Sequence, residues 1–459
     1  MILQRNLLAF VLTDFDSKRP VRRRVHAVRT IPRARASATV RASPEQRQVL
    51  LLGGTGRIGS AAAIHLLQAS VDSTPPVHVL LAGRGEKQGQ QAVAEVLSEV
   101  GGIEGLQQHG SAVSFLRLDF TDTDQLAEAL QGCDAVIHTA GPYMGVRPDI
   151  LKATINAGVP CYVDVADPVE YLDEARNMSA DARASGTMAL VSAGAFPGLS
   201  NVIAVECASR LDAPAHDLDF YYFTAGLGGS GKVNLAITNF GFGDPVMNFR
   251  KGRLSPQMNA GLASEEVEFF LEESDKSYSR VGQREVWAWP FPEVYTVARE
   301  LGISGNSNVK MGTAPAIWNV ILGGLVKLVP RSWWRSALFS NGMASFSDPM
   351  VMLTDKFVGE THSIRVDASS ADGATVSAVH GHDSFRRCVG QSVAEFALEL
   401  MQRRDEASEA WRPGVYCPEE IVRDSLERER VLHRLTHTPG TFTFVLSSQS
   451  KTTAVVEHQ

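Results

Sequence analysis

Cysteine is scarce in this chain. The 459 residues hold five, Cys133, Cys161, Cys207, Cys388 and Cys417, scattered and with no CxxC pair. That excludes a disulfide framework and a Cys-rich zinc site, and it suits a reducing compartment. Positive charge is also short over most of the length. Residues 45–459 carry a net charge of −15, so the basic face that nucleic acid binding needs is missing. Long apolar runs are absent as well. The uncharged stretch Met311–Val326 is 16 residues, short of the roughly 20 that a spanning helix needs. Acids are nearly missing from residues 1–44, which hold nine Arg, one Lys and two Asp, a net of +8.

That basic stretch reads as a leader and not as part of a fold. Arg-rich, Ser-containing, acid-poor segments have the composition of organelle transit peptides. A chloroplast address is expected, with the mitochondrion as the alternative, and a mature start near Ala42–Glu45. From Arg47 short apolar runs alternate with helical periods. Strands are expected at Gln48–Leu52, Val77–Ala82, Val113–Leu118, Ala135–Ala140, Cys161–Val165 and Met188–Ser192, with helices between them. Apolar strands of this kind imply a parallel sheet covered on both faces. The fold class is therefore α/β: a doubly wound parallel Rossmann sheet. After Asn201 the alternation stops and a second, mixed α+β domain begins. Helices return at Cys388–Arg403 and Ile421–Leu435, and the end of the chain is polar apart from Phe442–Leu446.

The strongest motif is Gly53-Gly54-Thr55-Gly56-Arg57-Ile58-Gly59, placed between an apolar strand and an amphipathic helix. In that context glycines make the tight turn, admit a pyrophosphate and let helix pack on strand. The helix amino terminus adds N–H groups for the phosphates. The second strand ends Leu81-Ala82-Gly83-Arg84-Gly85, with no acid to hold a ribose 2′-hydroxyl. Arg84 suits a 2′-phosphate instead, so NADP is expected in preference to NAD. Asp119 ends the third strand, where an Asp reaches the adenine amine. Thr139, Ala140 and Gly141 end the fourth, near the ribose-nicotinamide position.

These residues, with His138–Tyr143, Cys161–Asp164, Gly194–Asn201, Gly381–Gln391 and Gly414–Glu420, resemble the saccharopine dehydrogenase-like oxidoreductases. The resemblance is good over 47–200, moderate over 380–420 and thin between. It implies a Rossmann domain (45–211), a mixed substrate and dimerisation domain (212–385), and carboxyl-terminal helices that return to the Rossmann domain (386–435). A tail (436–459) follows. A small-molecule substrate and a homodimer are implied, and the substrate is left open.

Hydride transfer to a carbonyl or imine needs a proton donor near the nicotinamide. Tyr143 and Asp164 stand at strand ends. Lys232, His362 and His382 are the candidates from the second domain. Gly226–Val233 nearly spells a P-loop, but Val233 replaces the hydroxyl that would hold magnesium. No Tyr is followed four residues later by Lys, so a short-chain dehydrogenase pair is absent. The pair His380 and His382 has no further ligands at metal spacing, and no metal is expected. The alternative to an enzyme is a non-catalytic nucleotide-binding sensor or membrane-associated scaffold. Trp318, Ile321, Leu322, Leu325 and Val326, followed by Trp333, Trp334 and Arg335, suit either a buried core or dimer interface, or a peripheral membrane contact.

Overall fold

The computed structural model describes residues 46–449, apart from 73–74, 227–234, 237, 240, 244, 258–263 and 273–279. Strands β1 (Arg47–Leu52), β2 (Val77–Gly83), β3 (Ala112–Arg117), β4 (Ala135–His138), β5 (Cys161–Asp164) and β6 (Met188–Leu190) form a parallel sheet in the order β6-β5-β4-β1-β2-β3. Both faces are covered. Val49 and Leu51 belong to one apolar cluster, Leu50 and Leu52 to another, and all four are fully buried. The helices between strands are α1 (Arg57–Asp72), α2 (Glu86–Glu99), α3 (Gly102–Gln108), α4 (Thr123–Ala129), α5 (Asp149–Asn156), α6 (Val169–Asn177) and α7 (Ser179–Ser185). Between β5 and β6 the helical stretch is divided in two at Met178. Helix α8 (Leu199–Ser209) is buried along nearly its whole length and runs between the two sheets' apolar residues.

Among the described residues the second sheet has nine strands and is mixed. Its centre is the long strand β7 (Ala215–Ala225). The hairpin β8 (Val246–Arg250) and β9 (Arg253–Gln257) lies to one side, followed by β10 (Ser264–Glu268), β11 (Gln283–Ala288) and β12 (Ser307–Ala314). Strands β13 (Thr361–Ser370) and β14 (Thr375–His382) continue the other side. Helix α9 (Glu293–Glu300) follows β11. Three helices, α10 (Ile317–Leu328), α11 (Arg331–Trp334) and α12 (Ala337–Val358), are inserted between β12 and β13.

Helix α13 (Phe385–Asp405) then packs on α1 and below β5. A Cβ at Gly390 would sit 2.7 Å from Ile58 O, so the two helices approach to backbone contact. Glu399 on this helix is buried and accepts from Arg403 at 2.7 Å, Arg430 at 2.5 Å and Arg434 at 3.2 Å. Those contacts hold the last helix, α14 (Ser425–Thr436), against it.

Two carboxyl-terminal pieces differ from the sequence reading. Gly414–Tyr416 is a seventh parallel strand, β15, beside β6. Three residues are too few for a periodic signal. The stretch 436–459, expected as a tail, contributes β16 (Thr441–Gln449) to the edge of the second sheet, paired with β14. Its residues alternate over a half-covered edge, which reads as polar in sequence. No described helix is long and apolar enough to cross a membrane.

Candidate functional site

The turn between β1 and α1 sorts its glycines by what surrounds them. Gly53 has φ +79°, and a Cβ there would lie 2.8 Å from Ala140 N. Only glycine satisfies both conditions. At Gly59 a Cβ would lie 2.3 Å from Gly53 O, because the helix starts directly on the turn. Gly54 is buried against Leu51 and Leu81. Gly56 differs: it is exposed, and a Cβ there would meet nothing closer than Gly53 O at 3.1 Å. Three glycines therefore serve internal packing, and Gly56 leaves open space in front of the helix. Ser60 N donates to Gly56 O at 2.8 Å. The N–H groups ahead of it, in the first turn, lack intrahelical partners, as at any helix start. Ile58 turns inward onto the core.

Thr55 packs its side chain against Gly83, so the end of β2 abuts the turn. Arg84 follows, exposed, with no ion pair among the described residues; Arg57 is in the same state. Thr139 ties the end of β4 to β1 by donating from N (2.9 Å) and Oγ1 (3.0 Å) to Leu52 O. Ala140 N donates to His138 Nδ1 at 3.4 Å, and Gly141 is exposed beyond it. Asp119 Oδ1 accepts from Thr121 N at 3.1 Å and Oγ1 at 2.7 Å, which leaves Oδ2 for a ligand.

Tyr143 and Asp164, the two strand-end candidates for proton transfer, are both buried and hydrogen-bonded within the protein. Tyr143 is buried and donates its hydroxyl to His138 O at 2.6 Å. Burial and the nearby Asp164 push its pKa far above the ordinary tyrosine range. It packs edge-on between His138 at 5.0 Å and Tyr171 at 5.3 Å, as a pillar under the β4 loop. Asp164 is fully buried and accepts four hydrogen bonds, from Ser192 N (2.9 Å), Ala166 N (3.1 Å), Tyr162 (3.0 Å) and Tyr171 (3.2 Å). Burial raises its pKa to about 6 against the pull of those bonds. It clamps the end of β5 to the end of β6. Lys232 lies outside the described residues.

Three further residues carry no sequence motif, Ser192 and Asp167 in the parallel domain and Thr224 in the second sheet. Ser192 has φ +62°, an uncommon conformation for a residue with a Cβ, and its buried Oγ has no partner. Asp167 lies in the loop after β5, half-buried, with its pKa raised by desolvation to about 6. Thr224 is the penultimate residue of β7, with its hydroxyl buried and unpartnered. Its cross-strand neighbour is His362. His362 is fully buried and uses Nδ1 on Phe223 O at 3.2 Å, while Nε2 has no partner. Desolvation and the neighbouring His380 and His382 hold its pKa well below the usual range, so the ring is neutral and Nε2 offers a lone pair. His382 is the opposite case. Nδ1 accepts from Ser384 N at 3.0 Å, and Nε2 is shared between Gln391 and Pro439 O at 3.0 and 3.2 Å. It anchors the start of α13 and is not free for a ligand.

Phe196, from the loop after β6, joins the two halves. Its ring stacks on Tyr222 at 4.2 Å and touches His362 and Phe385, each at 5.1 Å. The carboxyl edge of the parallel sheet thus meets the His362 end of the second sheet.

In sequence, residues 49–190 match the family model described as the saccharopine dehydrogenase NADP binding domain. In fold, the chain is similar to an apo saccharopine dehydrogenase (L-Glu forming) from Saccharomyces cerevisiae. The TM-score is 0.56 and the identity 14%, with 88% of this chain and 100% of that one covered. A meso-dapdh mutant from Clostridium tetani aligns less well, at TM-score 0.35 and 11% identity over 84% of this chain and 98% of that one. No curated protein matches the chain in sequence. Residues 49–190 are thus similar to the saccharopine dehydrogenase NADP binding domain, within a chain that shares the fold of saccharopine dehydrogenase.

Proposed function

We propose that the chain is an NADP-dependent oxidoreductase. Its substrate is a small molecule with a carbonyl or imine carbon, held between the carboxyl edge of the parallel sheet and the Thr224–His362 end of the second. The carrying observation is the pair of buried, unpartnered atoms at that end, His362 Nε2 and Thr224 Oγ1. A buried polar atom without a partner loses about 1–3 kcal/mol, which a bound ligand returns.

NADP supplies or accepts the hydride when bound. The open space at Gly56 and the first N–H groups of α1 suit its pyrophosphate, and Arg84 suits its 2′-phosphate. His362 Nε2 accepts from a hydroxyl or amine of the substrate, and the Thr224 hydroxyl donates to an oxygen beside it. Asp167, raised to about 6, has a proton to move near neutral pH. Phe196 closes one wall against water.

NADPH fluorescence followed with a pool of carbonyl and imine metabolites tests this reading. Turnover that falls at least about 100-fold in His362→Phe, with NADPH affinity kept, is expected. One observation favours a second reading, a nucleotide-binding sensor: Tyr143 and Asp164 both face inward. NADPH binding with no turnover of any metabolite would select it. The basic leader supports a plastid address, and an intact Met1 on protein from its native source would remove it.

A further inference from the structure

The segment 317–358, which forms α10, α11 and α12, leaves its apolar side chains in the open. Leu328 is 82% exposed, Leu338 87%, Phe346 71% and Phe357 83%. Val320, Ile321, Trp333, Met350, Met352, Leu353 and Val358 are exposed with them. On α12 the residues Phe346, Met350, Leu353 and Phe357 follow the spacing i, i+4, i+7, i+11, a single helical stripe. Ser340 and Ala344, on the other side of that helix, are buried. The helix thus packs by one face and presents an apolar stripe on another. A contiguous exposed patch of this extent marks an interaction surface.

Charge identifies what covers it. The chain carries a net −7, yet 317–358 holds four basic residues, Lys327, Arg331, Arg335 and Lys356, and two acids, Asp348 and Asp355. Two such faces brought together would repel. An anionic lipid surface attracts this one, with Trp333 at the boundary between acyl chains and headgroups. We propose that α10–α12 lie in the plane of an anionic membrane, with the Phe346–Phe357 stripe among the outer acyl carbons. The segment is rooted at Ala314 and Thr361, which flank Ala225 in register, so its two ends join the sheet beside Thr224 and His362.

The test uses the full chain and vesicles of brominated phosphatidylcholine, with or without phosphatidylglycerol. Residues 1–44 contain no tryptophan, so binding by the basic leader is silent when tryptophan quenching is read. Quenching is expected on the anionic vesicles and weaker on the neutral ones. Trp333→Phe should reduce the quenched fraction. The triple change Phe346→Ser, Leu353→Ser and Phe357→Ser, all at exposed positions, should weaken partitioning by more than about tenfold with an unchanged thermal unfolding curve. No quenching, or quenching that neither variant alters, overturns the proposal. A lipid-indifferent dimer that the triple variant splits overturns it too and makes a second copy the occupant.

Discussion

The turn at 53–59 and the helices at 317–358 handle their neighbours in opposite ways. In the turn almost every position is accounted for by a contact within the chain: Gly53 against Ala140, Gly54 against Leu81, Gly59 against Gly53. Among its glycines, only Gly56 is left open. In the helical segment the rule is reversed, and large apolar side chains such as Leu338 and Phe357 stand largely in the open. A region whose residues are all explained by internal packing can be completed by one small ligand. A region with so much left over is completed by a surface. The adjacent tryptophans put both conditions side by side, since Trp334 is fully buried against Phe242 and Phe339 while Trp333 is 56% exposed.

The comparison breaks most visibly at those tryptophans. Trp334→Ala is expected to remove about 3–5 kcal/mol of stability through the cavity it leaves. Trp333→Ala should change stability by less than about 0.5 kcal/mol. Denaturant unfolding of the two single variants measures both, and equal losses would place Trp333 in the core. A double substitution would hide the difference.

The glycines sharpen it next. Gly56→Val should fold with a near-normal melting temperature and lose NADPH affinity by at least about 100-fold, some 2.7 kcal/mol, measured by fluorescence titration. Gly59→Val should instead fail to fold stably, since its side chain would overlap Gly53 O. Normal NADPH affinity in folded Gly56→Val would show that the open space is not the pyrophosphate site.

A smaller effect concerns Glu293, buried behind Phe196's partner Tyr222. Its Oε1 accepts from Tyr222 at 2.8 Å and Ser200 at 3.3 Å, and Oε2 has no partner. Burial raises its pKa from the ordinary 4.5 to about 7. The folded chain therefore holds a proton that the unfolded chain releases above pH 4.5. Stability falls as pH rises through that window, and the loss is complete above about pH 7. Glu293→Gln keeps an acceptor for Tyr222 and has no charge to bury. It should be more stable than the unmodified protein by about 1–2 kcal/mol at pH 8, and no more stable at pH 4. A constant difference across pH would mean that Glu293 does not titrate there.

The cofactor half was legible because its signals are local. Strand, glycine turn and helix start lie within about a dozen residues, and Arg84 closes the next strand. The contacts of the candidate proton donors and of the second sheet were not. Tyr143 looks available in sequence, and only the folded loop returns its hydroxyl to the carbonyl of His138, five residues back. Asp164 looks like a strand-end carboxylate, and only the neighbouring strand end shows that it holds Ser192 N. Thr224 and His362 are 138 residues apart and meet by antiparallel register, which no spacing rule reports. The exposed stripe on α12 was hidden for another reason. Apolar residues at helical spacing read the same whether a core covers them or nothing does.

Titration calorimetry with NADPH and NADH, on the unmodified protein and on Arg84→Asp, tests the assignment of the parallel domain most directly. The unpaired guanidinium at the end of β2 predicts NADPH binding at least about tenfold tighter than NADH, and most of that preference lost in Arg84→Asp. Equal affinities in the unmodified protein, or a preference that Arg84→Asp leaves intact, would contradict it.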